Sequence, residues 1–176
     1  LLTSGDEADT EPAWSPGGGA IAFTRSRSDG GSEIWSVPSS GGPASRLVLN
    51  ASSPSWSPDG SRFAFIQRGL GRSTSILTVQ SDGTWSRPVT RAEDAFFHYL
   101  PAWSPDGRTI AFVKDAGGGM TSDIWLVPAD GGAARQLTRE PNGIFSTEPA
   151  WSPDGEWIVY ASNRGGTRNI WRIATT

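Results

Sequence analysis

The chain has 176 residues, enough for one domain in which about 70% of the unfolded surface is buried. Its 22 glycines and 13 prolines break it every few residues and exclude long helices, while its 15 basic and 18 acidic side chains are scattered and leave no basic stripe for nucleic acid. Cysteine is absent, which excludes disulfides, thiolate metal sites and cysteine nucleophiles.

In chain order, Leu1-Leu2-Thr3 reads as the end of a strand, and the acidic stretch Gly5 to Glu11 leads into Pro12-Ala13-Trp14-Ser15-Pro16-Gly17-Gly18. Two β-prone segments follow, Ile21-Ala22-Phe23 and Ile34-Trp35, and then Gly41-Gly42 running to Leu47. This series returns three times. Pro54-Ser55-Trp56-Ser57-Pro58-Asp59-Gly60 precedes Phe63-Ala64-Phe65, Ile76-Leu77 and Asp82-Gly83 to Val89. Pro101-Ala102-Trp103-Ser104-Pro105-Asp106-Gly107 precedes Ile110-Ala111-Phe112, Ile124-Trp125 and Gly131-Gly132 to Leu137-Thr138. Pro149-Ala150-Trp151-Ser152-Pro153-Asp154-Gly155 precedes Ile158-Val159-Tyr160 and Ile170-Trp171, with no fourth segment after it.

Four short strands in a unit of 42 to 48 residues are the signature of propeller blades. The turn between the first two strands has a mechanism: proline presets φ, aspartate bonds the backbone beyond it, and glycine accepts positive φ. The expected fold is therefore an all-β propeller array of four-stranded antiparallel blades, four per chain. It spans residues 1–176, with blades near residues 4–48, 49–90, 91–138 and 139–176. Trp14, Trp56, Trp103 and Trp151 recur at one position of every blade, where sheets pack face to face, and Trp35, Trp125 and Trp171 recur in the third strand. All seven are expected to be structural rather than a ladder for stacking sugars.

The Pro-x-Trp-Ser-Pro-Asp-Gly, Ile-Ala-Phe, Ile-Trp, Gly-Gly and Leu-Thr pattern resembles the WD-repeat-like blades of TolB and of propellers in some prolyl-oligopeptidase-type peptidases. The resemblance runs along essentially the whole chain, departing at Gly17 and Leu77. It implies an extracytoplasmic, periplasmic protein that contacts other envelope proteins, and rings of six to eight blades. Leu1 to Thr3 matches the strand ending Leu137-Thr138, so the N-terminal strand is expected to complete the last blade. A four-bladed ring, a homodimer joined reciprocally into one eight-bladed ring, and a fragment of a longer propeller are all compatible with this, and the reciprocal homodimer is favoured.

Variable loops on a rigid scaffold are the place to look for binding, and here they join blade to blade and second strand to third. The loop after Arg91 places Phe96, Phe97, His98 and Tyr99 beside Glu93 and Asp94, a composition suited to an interaction surface, with packing between blades as the plainer alternative. The residues before the first-strand prolines, Glu11, Ser53, Leu100 and Glu148, are expected at the rim of the channel. Two glutamates there could meet a cation, a basic peptide or an arginine, although they do not complete a hard-cation site. The carboxylates of Gly5 to Glu11 lack EF-hand spacing and read as a solvated loop. Arg25, Arg27, Arg68, Arg72, Lys114, Arg164 and Arg168 could ring the same face.

Catalytic parts are scarce: there is one histidine, no Gly-x-Ser-x-Gly elbow, no P-loop and no dinucleotide fingerprint. The expected function is a protein- or peptide-binding scaffold, not an enzyme, with no cofactor, no metal and no nucleic acid. No membrane insertion is expected, since no apolar run approaches the roughly 20 residues that cross a bilayer. The alternatives are a gating or ligand-binding propeller of a larger peptidase and an excised or engineered repeat array with no ligand of its own.

Overall fold

The computed structural model describes residues 1–69, 73–91, 96–115 and 120–176, and every regular element in them is a strand. The first blade consists of β1 (Asp9–Trp14), β2 (Ala20–Ser26), β3 (Ser32–Pro38) and β4 (Ser45–Leu49). The second consists of β5 (Ala51–Trp56), β6 (Arg62–Arg68), β7 (Thr74–Gln80) and β8 (Arg87–Pro88). The third consists of β9 (Phe97–Trp103), β10 (Thr109–Asp115), β11 (Ser122–Pro128) and β12 (Arg135–Gln136), and the fourth of β13 (Ser146–Trp151), β14 (Trp157–Gly165) and β15 (Thr167–Ala174). In each sheet the strands lie side by side in chain order and pair antiparallel, as hairpin connections require.

The repeated turn builds the same small network in blade after blade. Gly18, Gly60, Gly107 and Gly155 donate their amides to the carbonyls of Ser15, Ser57, Ser104 and Ser152 at 2.8–2.9 Å, with glycine φ between 70° and 74°. In the last three turns the serine hydroxyl also donates to the aspartate two residues on, and that carboxylate accepts the amide two residues further along. These donors, the Ser57 hydroxyl foremost, pull the Asp59 carboxyl down to about 2 and lower Asp106 and Asp154 in the same way. The first turn has Gly17 in place of the aspartate and closes on the same main-chain bond, with the Ser15 hydroxyl accepting from the Ala20 amide.

The Ile-Ala-Phe segment is explained by strand alternation, which sends neighbouring side chains to opposite faces. The large pair faces the preceding blade, and the alanine faces the following one, letting the sheets approach. Ala22, Ile34 and Leu47 thus meet Phe63, Phe65 and Val79 of the second blade, and Ala64, Ile76 and Val89 meet Trp103, Ile110 and Phe112 of the third. Ala111, Ile124 and Leu137 meet Trp151, Ile158 and Tyr160 of the fourth. Trp56 Nε1 donates across its junction to the Ala13 carbonyl at 3.1 Å, and Trp151 Nε1 to the Ala102 carbonyl at 3.0 Å. Trp103 is more deeply buried than either, and among the described residues its Nε1 has no hydrogen-bond partner. Leu77 replaces the third-strand tryptophan inside the core, whereas Trp35, Trp125 and Trp171 are partly buried against it.

Two expectations need correction. Trp14 is 62% exposed where Trp103 is 8% exposed, because no blade precedes it in the stack. The last sheet has three strands, and Leu1 to Thr3 lie outside any strand instead of completing it. The reason is geometric: the core clusters join first blade to second, second to third and third to fourth, and among the described residues none joins fourth to first. The chain start is thus at the far end of the stack from β15, and Thr3 hydrogen-bonds Asp9 of β1 instead.

Candidate functional site

A β-bulge interrupts the first strand of every blade. Thr10 pairs with Thr24 and Ala13 with Ala22, leaving Glu11 and Pro12 opposite Phe23 alone. The same slip sets Ser53-Pro54 opposite Phe65, Leu100-Pro101 opposite Phe112, and Glu148-Pro149 opposite Tyr160. Proline has no amide to give the ladder, so the pairing must break there. The residue before it takes the left-handed conformation, with φ of 52° at Glu11, 55° at Ser53, 51° at Leu100 and 58° at Glu148. For a side chain with a Cβ this costs on the order of 1–2 kcal/mol per position. The bulge turns these four side chains out of the sheet alternation, and with their prolines they line one central opening of about 380 Å3. Four positions spread over the sequence thus share one opening.

Its two glutamates are not equivalent. Glu11 ties the first blade to the second: Oε2 accepts from Thr24 Oγ1 at 2.7 Å and from the Ser53 amide at 2.8 Å, and Oε1 accepts from Ser53 Oγ at 2.9 Å. Glu148 is exposed and pairs with Arg168 at 3.2 Å. Neither stands as an unengaged carboxylate, and among the described residues no group of three acidic or histidine side chains is placed to hold a metal.

The aromatic loop divides. His98, expected at an interaction surface or in solvent, is 2% exposed and cannot contribute a contact surface. Its Nδ1 lies 3.0 Å from Thr90 Oγ1, its amide donates to Thr74 Oγ1 at 2.6 Å, and its ring stands edge-on to Phe112 at 5.2 Å. Alternation along β9 then puts Phe97 and Tyr99 together on the other side, stacked 9° from parallel with centroids 5.9 Å apart. Burial, followed by the charge of Asp115, pushes the Tyr99 phenol above its ordinary value, so it stays protonated. Phe96 lies under Lys114 Nζ, 4.2 Å from the ring centroid. Glu93 and Asp94 lie outside the described residues, as does Arg72.

Phe97 and Tyr99 form one wall of a groove of about 410 Å3 between the second and third blades. Glu11, Ser52, Ser53, Ile66, Arg68, Ser73 and Thr74 complete it, so the glutamate rim and the aromatic pair, far apart in sequence, meet in one cavity. The other loop cations are engaged: Asp9 grips Arg25 with two bonds of 2.7 Å, Arg27 pairs with Asp29 and Glu33, and Arg164 lies 3.7 Å from Glu140. Among the described residues no acidic side chain pairs with Arg68, which faces the groove exposed.

The sequence model of the TolB beta propeller domain matches residues 51–176, most of the chain. The chain belongs to the TolB β-propeller family. No curated protein matches it. Among solved structures it is similar to a TolB from Agrobacterium tumefaciens, at 24% identity over 99% of this chain and 65% of that one, with a TM-score of 0.84. It is also similar to TolB from Acinetobacter baumannii, at 22% identity over 98% of this chain and 43% of that one, with a TM-score of 0.78. Prolyl oligopeptidase B from Galerina marginata is matched at 15% identity over 96% of this chain and 27% of that one, with a TM-score of 0.72. The chain therefore spans less than two thirds of the length of each, and at these identities the likeness to the solved TolB and peptidase structures concerns the fold alone.

Proposed function

We propose that this TolB-family chain is a non-catalytic scaffold that binds a protein or peptide segment on the face formed by its interblade loops, in the groove between the second and third blades. The observation that carries this reading is the meeting of Glu11 with Phe97 and Tyr99 in one cavity that also holds Arg68. A stacked aromatic pair offers a rigid apolar wall at low entropic cost, and an unpaired guanidinium beside it selects a carboxylate. The fitting ligand is an extended segment with an apolar side chain next to an acidic residue or a C-terminus. Catalysis is disfavoured because the only histidine is buried against Thr90 and Phe112, away from this wall. An extracytoplasmic setting, implied by the family resemblance, accords with this reading.

The test is to pan a phage-displayed random peptide library against the chain and measure the enriched peptides by calorimetry. Acidic, apolar-containing peptides should bind the wild type and lose at least tenfold in affinity with Arg68→Ala or Tyr99→Ala. Enrichment of peptides indifferent to both substitutions would overturn the proposal. The second reading, a gating propeller of a larger peptidase, rests on the central opening bounded by Glu11, Ser53, Leu100 and Glu148. It predicts instead that Glu11→Ala with Glu148→Ala alters ligand-induced thermal stabilisation while Arg68→Ala does not.

A further inference from the structure

Strand alternation gives β9 a second face. Phe97 and Tyr99 look into the peptide groove, and His98 between them lines a separate cavity of about 690 Å3, bounded by the end of the second blade and by the third. Its position follows from the sequence. Pro88 has no amide to extend β8, so that strand stops at two residues, and the Val89 and Thr90 amides both turn to the Ile76 carbonyl, at 2.8 and 3.1 Å. Opposite them, Gly131, Gly132, Ala133 and Ala134 bring no large side chain, which leaves the space open.

The charge here differs from that at the same place one blade on. In the third blade the Ile124 amide donates to Thr138 Oγ1 at 2.9 Å, and that hydroxyl donates to Asp123 Oδ1 at 2.9 Å. In the second blade the Ile76 amide donates to Thr90 Oγ1 in the same way, but Ser75 stands where Asp123 does, and Thr90 Oγ1 meets His98 Nδ1 at 3.0 Å. A carboxylate of the blade itself is thus replaced by an imidazole of the next. Arg87, Arg91 and Lys114 line the same cavity, and among the described residues Asp130 is its one acidic side chain. That carboxylate is shared by Arg62 at 3.0 Å and Arg87 at 3.7 Å. Arg91 is exposed and has no acidic partner among the described residues. The ring faces of Phe96 and Trp125 hold Lys114 Nζ, 4.2 and 4.9 Å from their centroids. A chain of net charge −3 thus collects three cationic side chains in one cavity.

We propose that this cavity is a binding site for a small phosphate monoester with an apolar body. The head group lies against Arg87 and Arg91, whose guanidinium forks match pairs of phosphate oxygens, with the Lys114 ammonium as a third positive charge. The body lies along Pro88, Ala133 and Ala134. A cavity of this volume takes a small organic molecule, and apolar walls with a few charged groups are the usual make-up of such sites. It shares no lining residue with the peptide groove and is a distinct site.

Titration calorimetry of the 176-residue chain with phenyl phosphate as the probe tests this. One molecule should bind per chain, and benzoate and phenol, which lack the phosphate, should each bind about tenfold more weakly. Arg91→Ala and Arg87→Ala should each weaken phenyl phosphate by about tenfold. Arg108→Ala removes an exposed charge from a turn outside the cavity and should leave the affinity unchanged. The chain has one histidine, and it lines this cavity, so its imidazole proton resonances report on occupancy and should shift with the same saturation as the heat. Absence of binding, benzoate or phenol binding as tightly as phenyl phosphate, or an equal loss in Arg108→Ala would overturn the proposal. So would heat released without any movement of the His98 resonances, a result that needs no variant to fold.

Discussion

The two faces of the stack are made from the same strands and differ in how their chemistry is held. On the turn face, each Ser-Pro-Asp-Gly hairpin satisfies itself within five residues, and the same bonds recur in three turns with one substitution tolerated in the first. On the loop face nothing repeats beyond the bulge: Glu11 is held by the next blade, Glu148 by Arg168, and Tyr99 stacks on Phe97. Local bonding makes a face uniform. Bonding between blades lets each position acquire its own role.

The contrast can be broken or sharpened by experiment, beginning with the largest expected effect. Trp103→Ala should cost about 3–5 kcal/mol in urea denaturation, whereas Trp14→Ala, at the same repeat position, should cost about 0.5 kcal/mol or less. Equal costs would mean that the tryptophan acts within its own blade rather than across the junction. Gly83→Ala should rank next, at about 1–3 kcal/mol, because φ is 84° and the added Cβ would meet the Leu47 carbonyl oxygen at 2.7 Å. Gly107→Ala, where the nearest atom is 3.7 Å away, should cost less in a thermal melt, although φ there is 70°.

Acid titration comes third. Asp59 titrates lower in the folded chain than in the unfolded one, so its contribution is present above the unfolded value near pH 4 and is lost as pH falls toward about 2. Asp106 and Asp154 act in the same direction. Asp59→Asn should flatten the decline in melting temperature over that window, and an unchanged slope would show that the turn carboxylates are not linked to folding. Smallest in stability is Arg68→Ala, expected within about 0.5 kcal/mol of the wild type, with its effect confined to peptide affinity.

The strands, the turns and the repeat were legible because their causes are short-range: alternation of Ile-Ala-Phe, proline and glycine at fixed turn positions, and a period of one blade. The bulges left a trace, a proline inside a strand-like segment, but its consequence for the preceding residue depends on pairing with β2, β6, β10 and β14. His98 was misplaced because its environment comes from Thr74, Thr90 and Phe112, which lie up to two strands away in the chain. The exposure of Trp14 was hidden for a related reason, since burial at that position is supplied by a neighbouring blade rather than by its own. The groove joining Glu11 to Tyr99 is a property of three blades at once, and no local pattern encodes it.

The bulge before each first-strand proline also bears on how such a protein can change. Because that residue has left the sheet alternation, its side chain is released from the cross-strand pairing of its own sheet, and the four copies carry three different residues there: glutamate, serine, leucine and again glutamate. Each blade thus brings one position to the central opening, where it can join a neighbouring blade, as Glu11 does through Ser53, or stay exposed, as Glu148 does beside Arg168. The opening acquires its chemistry one residue per blade.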